Sequence, residues 1–349
     1  MTKDFFTLSQ HDRRQALEYA SERSGRPAHL LEKDIWVVWA LQILFASPLA
    51  AELTFKGGTS LSKAYKLIDR FSEDVDLTCD IRKLIPELAG NGELPTSRSQ
   101  SGKWTQAVRR RLPEWIKERV QPVIEAALTQ KKLAIQVEIG GQDHDKLFLH
   151  YPALSVGTGY VTPIVTLEFG GRATGEPHQI LPVVCDMAEH LPEVSFPAAS
   201  PCVMSLARTF WEKATAAHVY CVQGRIRGER YARHWYDLAA IARSAYFSDI
   251  SADHIVATAV TRHKSYFFVE KDSSGNVIEY AAAAQGHLHL VPEGQARAAL
   301  AEDYAAMLTD RVLLNDALSF ERLMLECAEI ESTVNKVPLS KKPDISTLL

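Results

Sequence analysis

The segment from Lys56 to Leu77 constrains this 349-residue chain more than any other, and it reads K-G-G-T-S-L-S-K-A-Y-K-L-I-D-R-F-S-E-D-V-D-L. Gly57 and Gly58 follow a short apolar stretch, 53–55, that is typical of a strand. The apolar residues after the glycines are spaced as on one face of a helix: Leu61, Ala64, Tyr65 and Ile68. The pattern therefore predicts a strand, a glycine turn and a helix.

The glycine turn is a candidate phosphate site. Glycine lacks a Cβ atom, so the backbone can approach a bulky ligand, and N–H groups at a helix start can bind phosphate oxygens. Thr59 and Ser60 stand beside these groups, and Lys56 and Lys63 add positive charge. Ser72, which follows the predicted helix, is a further candidate for nucleotide binding. A glycine pair that stands alone before a helix is usually only a turn.

Two aspartates come next. Polar and apolar residues alternate over 72–77, so on a strand Asp74 and Asp76 project from one face while Val75 and Leu77 project from the other. Two adjacent carboxylates repel each other unless a cation neutralises them, and Mg²⁺ or Mn²⁺ takes oxygen ligands. An Asp-x-Asp alone is usually solvated, but the glycine turn and the aspartates in this order favour a metal-dependent nucleotidyltransferase.

The same segment resembles the nucleotidyltransferase signature of the AbiEii/AbiGii toxin family, through G-G-T-S-L-x-K and R-F-S-E-D-V-D-L. The likeness extends in consistent order over roughly residues 30 to 335. The other segments that resemble family motifs are E-K-D-I-W at 32–36, L-E-F-G-G-R at 167–172, R-T-F-W-E-K at 208–213, R-H-W-Y-D-L at 233–238 and D-Y-A-A-M at 303–307.

The resemblance implies a polymerase-β-like nucleotidyltransferase core followed by a helical region. It also implies a toxin of a bacterial toxin–antitoxin or phage-abortive system, with a cognate antitoxin as partner and, as in some members, transfer RNA as the nucleotide acceptor. By motif, Asp74 and Asp76 would hold Mg²⁺, Lys213 would contact the triphosphate of an NTP substrate, and Asp237 would complete the active site. Glu168 is the candidate for a third metal-binding carboxylate on an adjacent strand.

Composition limits where RNA could bind. A net charge of −4 excludes a broadly basic nucleic-acid binder, so RNA would have to meet a local patch. Two runs offer one: Arg109 to Arg111, and the run Arg225, Arg227, Arg230 and Arg233. Because a run of charge is usually a solvated face, each patch is only a candidate.

The cysteines and the N-terminus favour a cytoplasmic protein. The five cysteines form no Cys-x-x-Cys pair, and the first residues lack the apolar stretch of a signal peptide. The most apolar segment, 35–51, is short and interrupted by polar residues and Pro48, so we predict a buried helix and no membrane partner.

The remaining pattern predicts an α+β fold. A Gly- and Ser-rich stretch, 90–103, predicts a mobile loop, 104–128 a helix, and 133–139 and 162–169 strands. Three prolines between Pro192 and Pro201 mark a boundary, beyond which the pattern is mainly helical. We therefore expect a nucleotidyltransferase domain, a mixed sheet with flanking helices, over 1–200 and a helical domain over 201–349 that contributes the active-site Lys and Asp.

Two other functions fit the same residues. One is a kinase or phosphotransferase, which moves the γ-phosphate rather than a nucleotidyl group. The other is a nucleotide-binding regulatory module without catalysis, which acts only through partner contacts.

Overall fold

The computed structural model of the protein describes residues 2–72, 74–92, 94–155, 157, 161–224, 230–309 and 317–336. The chain divides into two compact units, Met1–Ser205 and Leu206–Leu349. The sequence places the division after residue 200, which would cut off a strand, Cys202–Met204, that belongs to the sheet of the first unit.

The first unit contains both helices and strands, with most of the strands after residue 131. The helices are α1 (Gln10–Ser24), α2 (Ala28–Phe45), α3 (Gly57–Lys63), α4 (Ile81–Leu84), α5 (Pro86–Ala89), α6 (Arg98–Trp115) and α7 (Gln121–Lys131). The strands are β1 (Lys3–Asp4), β2 (Leu53–Lys56), β3 (Asp74–Asp80), β4 (Gln136–Gly140), β5 (Lys146–His150), β6 (Ile164–Ala173), β7 (His178–Ile180), β8 (Val183–Val184), β9 (Val194–Ser195), β10 (Ala198–Ala199) and β11 (Cys202–Met204). Short 3₁₀ turns cover Phe5–Thr7 and Pro48–Ala51, and a π-helical turn, Ile116–Val120, joins α6 to α7.

Within the described residues, seven strands form one mixed sheet in the order β4-β5-β6-β3-β2-β11-β7. The pairs β3 with β6 and β2 with β11 are parallel, and the other neighbours are antiparallel. Buried and partly exposed residues alternate along β6 and the first half of β3, so one face of these strands packs into the core. The other face is available for polar side chains.

Helix α2 is the buried helix that the sequence predicts, but with different bounds. It begins at Ala28 and ends at Phe45, before Pro48 opens a 3₁₀ turn. Trp36 stacks on Tyr151, with ring centroids 5.7 Å apart. Among the described residues, no helix is both long enough and apolar enough to cross a bilayer.

The E-K-D-I-W segment begins inside α2, and its first two charges have polar partners. The carboxylate of Glu32 accepts hydrogen bonds from the backbone N–H groups of Leu154 at 2.9 Å and Ser155 at 3.1 Å. Lys33 Nζ donates to the carbonyl oxygen of Thr162 at 3.3 Å. Buried charges cost free energy unless they are paired or hydrogen-bonded, so these contacts connect Leu154, Ser155 and Thr162 to α2.

Asp34, the third charge, belongs to a buried ion cluster. Its Oδ1 lies 2.6 Å from Lys63 Nζ, and its Oδ2 accepts a hydrogen bond of 2.7 Å from the backbone N–H of Asp186. Lys63 also pairs with Asp186 at 2.5 Å, and Arg26 pairs with Asp186 at 2.9 Å. Burial raises the pKa of Asp34, and the charge of Lys63 opposes that shift. The cluster ties α2, α3 and the segment after β8 together.

Two predicted elements differ from the structure. Helix α3 ends at Lys63, sooner than the apolar spacing predicts, and Lys66 adopts a φ of +54° that a helix cannot continue through. Helix α6 begins at Arg98, so the last residues of the predicted 90–103 loop are helical. Ser97 caps this helix, since its Oγ accepts from the backbone N–H of Gln100 at 3.2 Å.

The other local predictions agree with the structure. The helix predicted over 104–128 is confirmed and is longer, because the π-helical turn continues α6 into α7. The strands predicted over 133–139 and 162–169 correspond to β4 and β6. Strand β5 is missing from the sequence prediction, although K-L-F-L-H alternates as a strand should.

The second unit is mainly helical, as expected. Its helices are α8 (Leu206–Gln223), α9 (Arg233–Ala242), α10 (Phe247–Ala252), α11 (His254–Phe267), α12 (Ala281–Ala284), α13 (Gly294–Thr309) and α14 (Phe320–Lys336). Trp235 is fully buried, and its Nε1 donates to the carbonyl oxygen of Leu290 at 2.6 Å. Together with the mixed sheet of the first unit, this confirms the α+β fold class.

Replacing Lys63 by Met should lower the free energy of unfolding by about 3–5 kcal/mol, because it leaves the buried carboxylate of Asp34 without its cation. Urea unfolding followed by circular dichroism measures the loss. Lys131→Met is the matched control, since Lys131 pairs with Asp4 at 2.8 Å on the surface and should cost about 0–1 kcal/mol. Equal losses in the two variants would show that the buried cluster does not stabilise the fold.

Candidate active site

The turn from β2 into α3 brings Gly57 against Asp76. Gly57 has a φ of +78°, in the left-handed region that favours glycine. A Cβ atom at this position would lie 2.0 Å from Asp76 Oδ2 and 2.9 Å from Asp76 Cβ. Contacts this short are impossible for a real side chain, so the aspartate can pack on the turn only because residue 57 is glycine.

Gly58 makes a similar approach to two other side chains. A Cβ atom there would lie 2.3 Å from Arg70 Nη2 and 2.9 Å from Ser72 Oγ. The sequence analysis explained both glycines by the approach of a ligand. The structure shows that the protein's own side chains come this close, and it adds the buried Arg70, which the sequence analysis missed although it lies in the R-F-S-E-D-V-D-L segment.

The hydroxyl groups of Thr59 and Ser60 are used within the turn. Thr59 Oγ1 donates to the carbonyl oxygen of Asp74, and Ser60 Oγ donates to the carbonyl oxygen of Gly57 at 2.8 Å. Both residues are buried. These bonds hold α3 against the start of β3 and so fix the position of Asp74, while a direct role of either hydroxyl in nucleotide binding stays a prediction.

Asp74 and Asp76 project from the partly exposed face of β3, whereas Val75 and Leu77 are fully buried. The alternation predicted from the sequence is therefore confirmed. Side chains two residues apart on a strand are neighbours on the same face, with Cα atoms about 7 Å apart, so both carboxylates can reach one ligand.

A row of charged residues crosses four neighbouring strands, and we call it the charged row: Lys56, Asp76, Glu168 and Lys146. Asp76 lies opposite Lys56 of β2 and Glu168 of β6, and Glu168 lies opposite Lys146 of β5. Opposite residues on adjacent strands project from the same face, with side chains about 5 Å apart. Two carboxylates are thus flanked by two lysines, and Asp74 projects from the same face two residues before Asp76.

Lys146 forms an ion pair with Glu168 within the charged row. Its Nζ lies 2.7 Å from Glu168 Oε2, and both side chains are partly exposed. Burial by itself lowers the pKa of Lys146, but the hydrogen bond to Glu168 and the charges of Glu168, Asp74 and Asp145 outweigh it, so the pKa is raised. Lys146 was missed by the sequence analysis because strand β5 was missed.

The acidic residues fit a metal held partly by substrate. Within the described part of the chain, no three His, Cys, Asp or Glu side chains are grouped to hold a metal ion. Mg²⁺ commonly binds through one or two carboxylates plus substrate phosphates and water, and the pair Asp74 and Asp76 matches that donor set. Glu168, the predicted third ligand, instead accepts a hydrogen bond from Lys146, so its metal role stays a prediction.

Lys63 does not supply the positive charge that the sequence analysis expected beside the glycine turn. Its ammonium group is buried between the carboxylates of Asp34 and Asp186, and these neutralise it. Because both partners lie far from Lys63 in the sequence, local pattern could not reveal this structural role.

In the second unit, Lys213 of α8 and Asp237 of α9 form an ion pair. Lys213 Nζ lies 2.8 Å from Asp237 Oδ2, and the two side chains are 10% and 0% exposed. The family motif assigns Lys213 to the triphosphate, and in the structure the buried carboxylate of Asp237 fixes its ammonium group. Burial, followed by the charges of Lys213 and Arg233, holds the pKa of His234 well below its usual range, so its imidazole is neutral beside the pair.

Of the two candidate RNA patches, Arg109 to Arg111 lies wholly within the described residues. Arg111 pairs with Glu87 at 2.7 Å, and Arg110 is exposed. In the second run, Arg225 and Arg227 lie outside the described residues. The backbone N–H of Arg230 donates to Asp303 Oδ1 at 2.7 Å, which connects this run to the D-Y-A-A-M segment.

Comparison with known proteins places the chain in a family. A search of curated proteins finds no match. Among solved structures, one similar chain is MenT4, a nucleotidyltransferase toxin from Mycobacterium tuberculosis H37Rv, with 17% sequence identity, coverage of 95% of this chain and 99% of that chain, and a TM-score of 0.43. The family model for the nucleotidyl transferase AbiEii toxin of type IV toxin–antitoxin systems matches residues 39–325, which is most of the chain. The chain therefore belongs to the AbiEii family of nucleotidyl transferase toxins.

Proposed function

We propose that this toxin uses Mg²⁺ to transfer a nucleotidyl group from an NTP to an acceptor hydroxyl, with release of pyrophosphate, and that transfer RNA is the acceptor. Membership of the AbiEii family supports nucleotidyl transfer. An antitoxin partner follows from the same family. The metal, the NTP and the RNA acceptor are proposals about this chain, and they are argued from the glycine turn, Asp74 and the charged row.

The observation that carries the proposal is the contact between the glycine turn and Asp76. A ligand that lies along this turn also contacts the carboxylate of Asp76, because residue 57 has no side chain to hold Asp76 Oδ2 away from the backbone. The triphosphate of an NTP is such a ligand, since it needs both close backbone approach and a metal-binding carboxylate nearby.

In the proposed reaction, the residues of the first unit would bind the metal, bind the phosphates and hold the turn in position. Asp74 and Asp76 would hold Mg²⁺ by their carboxylate oxygens, and the bound ion would stabilise negative charge on the phosphates. Lys56 lies opposite Asp76 in the charged row and directly precedes the glycine turn, so it can bind a phosphate oxygen there. The buried Arg70 and the hydroxyl of Thr59 hold the turn and the start of β3 in place, so that the carboxylates do not move during the reaction.

Lys213 and Asp237 are assigned by motif. We propose that Lys213 contacts the triphosphate and that Asp237 fixes the orientation of its ammonium group through their 2.8 Å ion pair. A lysine held in this way loses little further conformational entropy when it binds an anion. Phosphoryl chemistry depends mostly on such positioning and on charge stabilisation.

Replacing Asp74 and Asp76 together by Asn should reduce nucleotidyl transfer by at least about 10²-fold, because the metal loses its charged ligands while side-chain volume is kept. Incorporation of labelled NTP into RNA measures the rate, and thermal melting checks the fold. Asp12→Asn, a change of an exposed carboxylate at the start of α1 in the same unit, is the control and should leave transfer unchanged. A folded double variant with wild-type transfer would refute the assignment.

Gly57→Ala should reduce transfer by about 10²-fold, because the new Cβ displaces Asp76 by about an ångström or more. Gly25→Ala is the matched control: Gly25 has a φ of +72° but nothing within 4 Å of a Cβ atom, so it carries the same backbone strain without the collision. Both variants should lose roughly 1–2 kcal/mol of stability from that strain. Equal activity of the two variants would show that the contact with Asp76 does not matter.

The position of the label decides between nucleotidyl transfer and phosphotransfer. We expect label from an α-labelled NTP to enter RNA, and label from a γ-labelled NTP to leave as pyrophosphate. Sequencing of RNA 3′ ends then identifies the acceptor. Entry of γ-label into the product would establish a kinase, and tight NTP binding without either transfer would favour the regulatory module.

A further inference from the structure

Lys146 is the one residue of the charged row to which neither the sequence motifs nor the proposed reaction gives a role. It lies on β5, opposite Glu168, and its ammonium group is 2.7 Å from Glu168 Oε2. Asp74 and Asp145 are near enough to act on it electrostatically. Lys146 therefore faces several carboxylates from the β5 end of the charged row.

The carboxylates on this face repel one another, and a cation beside them offsets that repulsion. Asp76 and Glu168 stand opposite each other on adjacent parallel strands, and Asp74 follows on the same face. Like charges directly opposite one another destabilise a sheet. Lys146 offsets that repulsion because it is fixed at the end of the charged row by strand pairing on both sides, with Gly140 of β4 and with Glu168 of β6.

The same contact also keeps Glu168 away from a metal. Glu168 Oε2 accepts its hydrogen bond from Lys146, and within the described residues the three acids do not form a metal-binding group. A nearby positive charge further disfavours a divalent cation by direct repulsion. The free protein would then hold metal only through Asp74 and Asp76, and would gain its remaining oxygen ligands from the nucleotide.

We propose that Lys146 is a built-in counter-cation for Glu168, Asp76 and Asp74, which stabilises this face of the sheet without metal and keeps its affinity for a divalent cation low until an NTP supplies phosphate oxygens. This inference rests on the proposed function, because it takes Asp74 and Asp76 as the metal ligands. Lys146 is thus a positioning residue, which acts through Glu168 and through the electrostatic potential at the aspartates.

Titration of the full-length protein with Mn²⁺ alone, followed by electron paramagnetic resonance, tests the proposal. Lys146→Met should bind Mn²⁺ more tightly than the wild type, by a factor on the order of ten, because a competing charge is removed and Glu168 is released. Lys146→Arg should restore wild-type affinity, since it keeps the charge. Lys131→Met, which removes a surface lysine from an ion pair of similar length, should leave the affinity unchanged.

A second measurement separates this proposal from the proposed function. In buffer with a chelator, Lys146→Met should melt at a lower temperature than Lys131→Met, and the double variant Lys146→Met with Glu168→Gln should recover part of the loss. Mn²⁺ affinity of Lys146→Met equal to that of the wild type would overturn the counter-cation role while leaving the reaction intact. If the wild type binds no Mn²⁺ even when an NTP is present, the metal-dependent reaction fails, and melting of Lys146→Met at the wild-type temperature would then overturn the counter-cation role as well.

Discussion

Electrostatic repulsion between carboxylates is the constraint on which the first unit depends. The parallel pairing of β3 with β6 sets Asp76 directly opposite Glu168, and the period of the strand puts Asp74 on the same face. Such a face is unstable by itself. The antiparallel neighbours on either side supply lysines at the matching register, Lys56 from β2 and Lys146 from β5, so strand register provides the compensation.

The same logic applies deeper in the unit, with a different outcome. Asp34 and Asp186 are held together around Lys63, and there the charges are buried and serve the fold. In the second unit Lys213 and Asp237 form a comparable buried pair. Burial decides what each group can do: a buried ion pair fixes the positions of its two charges, whereas the partly exposed charged row would bind the proposed metal or phosphate without a large desolvation cost.

The sequence predicted those features of the site that depend on neighbours in the chain. The two-residue period of a strand was enough to put Asp74 and Asp76 on one face, and Gly57 was placed correctly at the turn between β2 and α3. Features that depend on distant residues were missed. Lys63 was taken for a phosphate-binding lysine because its partner Asp186 is remote in sequence, and Lys146 was overlooked because its meaning appears only when β5 is paired with β6.

At Gly57, the fold and the proposed site require the same residue. Gly57 was first explained by the needs of a ligand, yet the structure explains it by the needs of Asp76, whose carboxylate fills the space that a side chain would take. Both explanations require the same small residue, because in the proposed reaction a nucleotide would contact Asp76 only if this carboxylate already lies against the turn. A change at Gly57 therefore alters the fold and the site together, whereas a change at Lys146 alters the charge of the site and leaves the turn as it is.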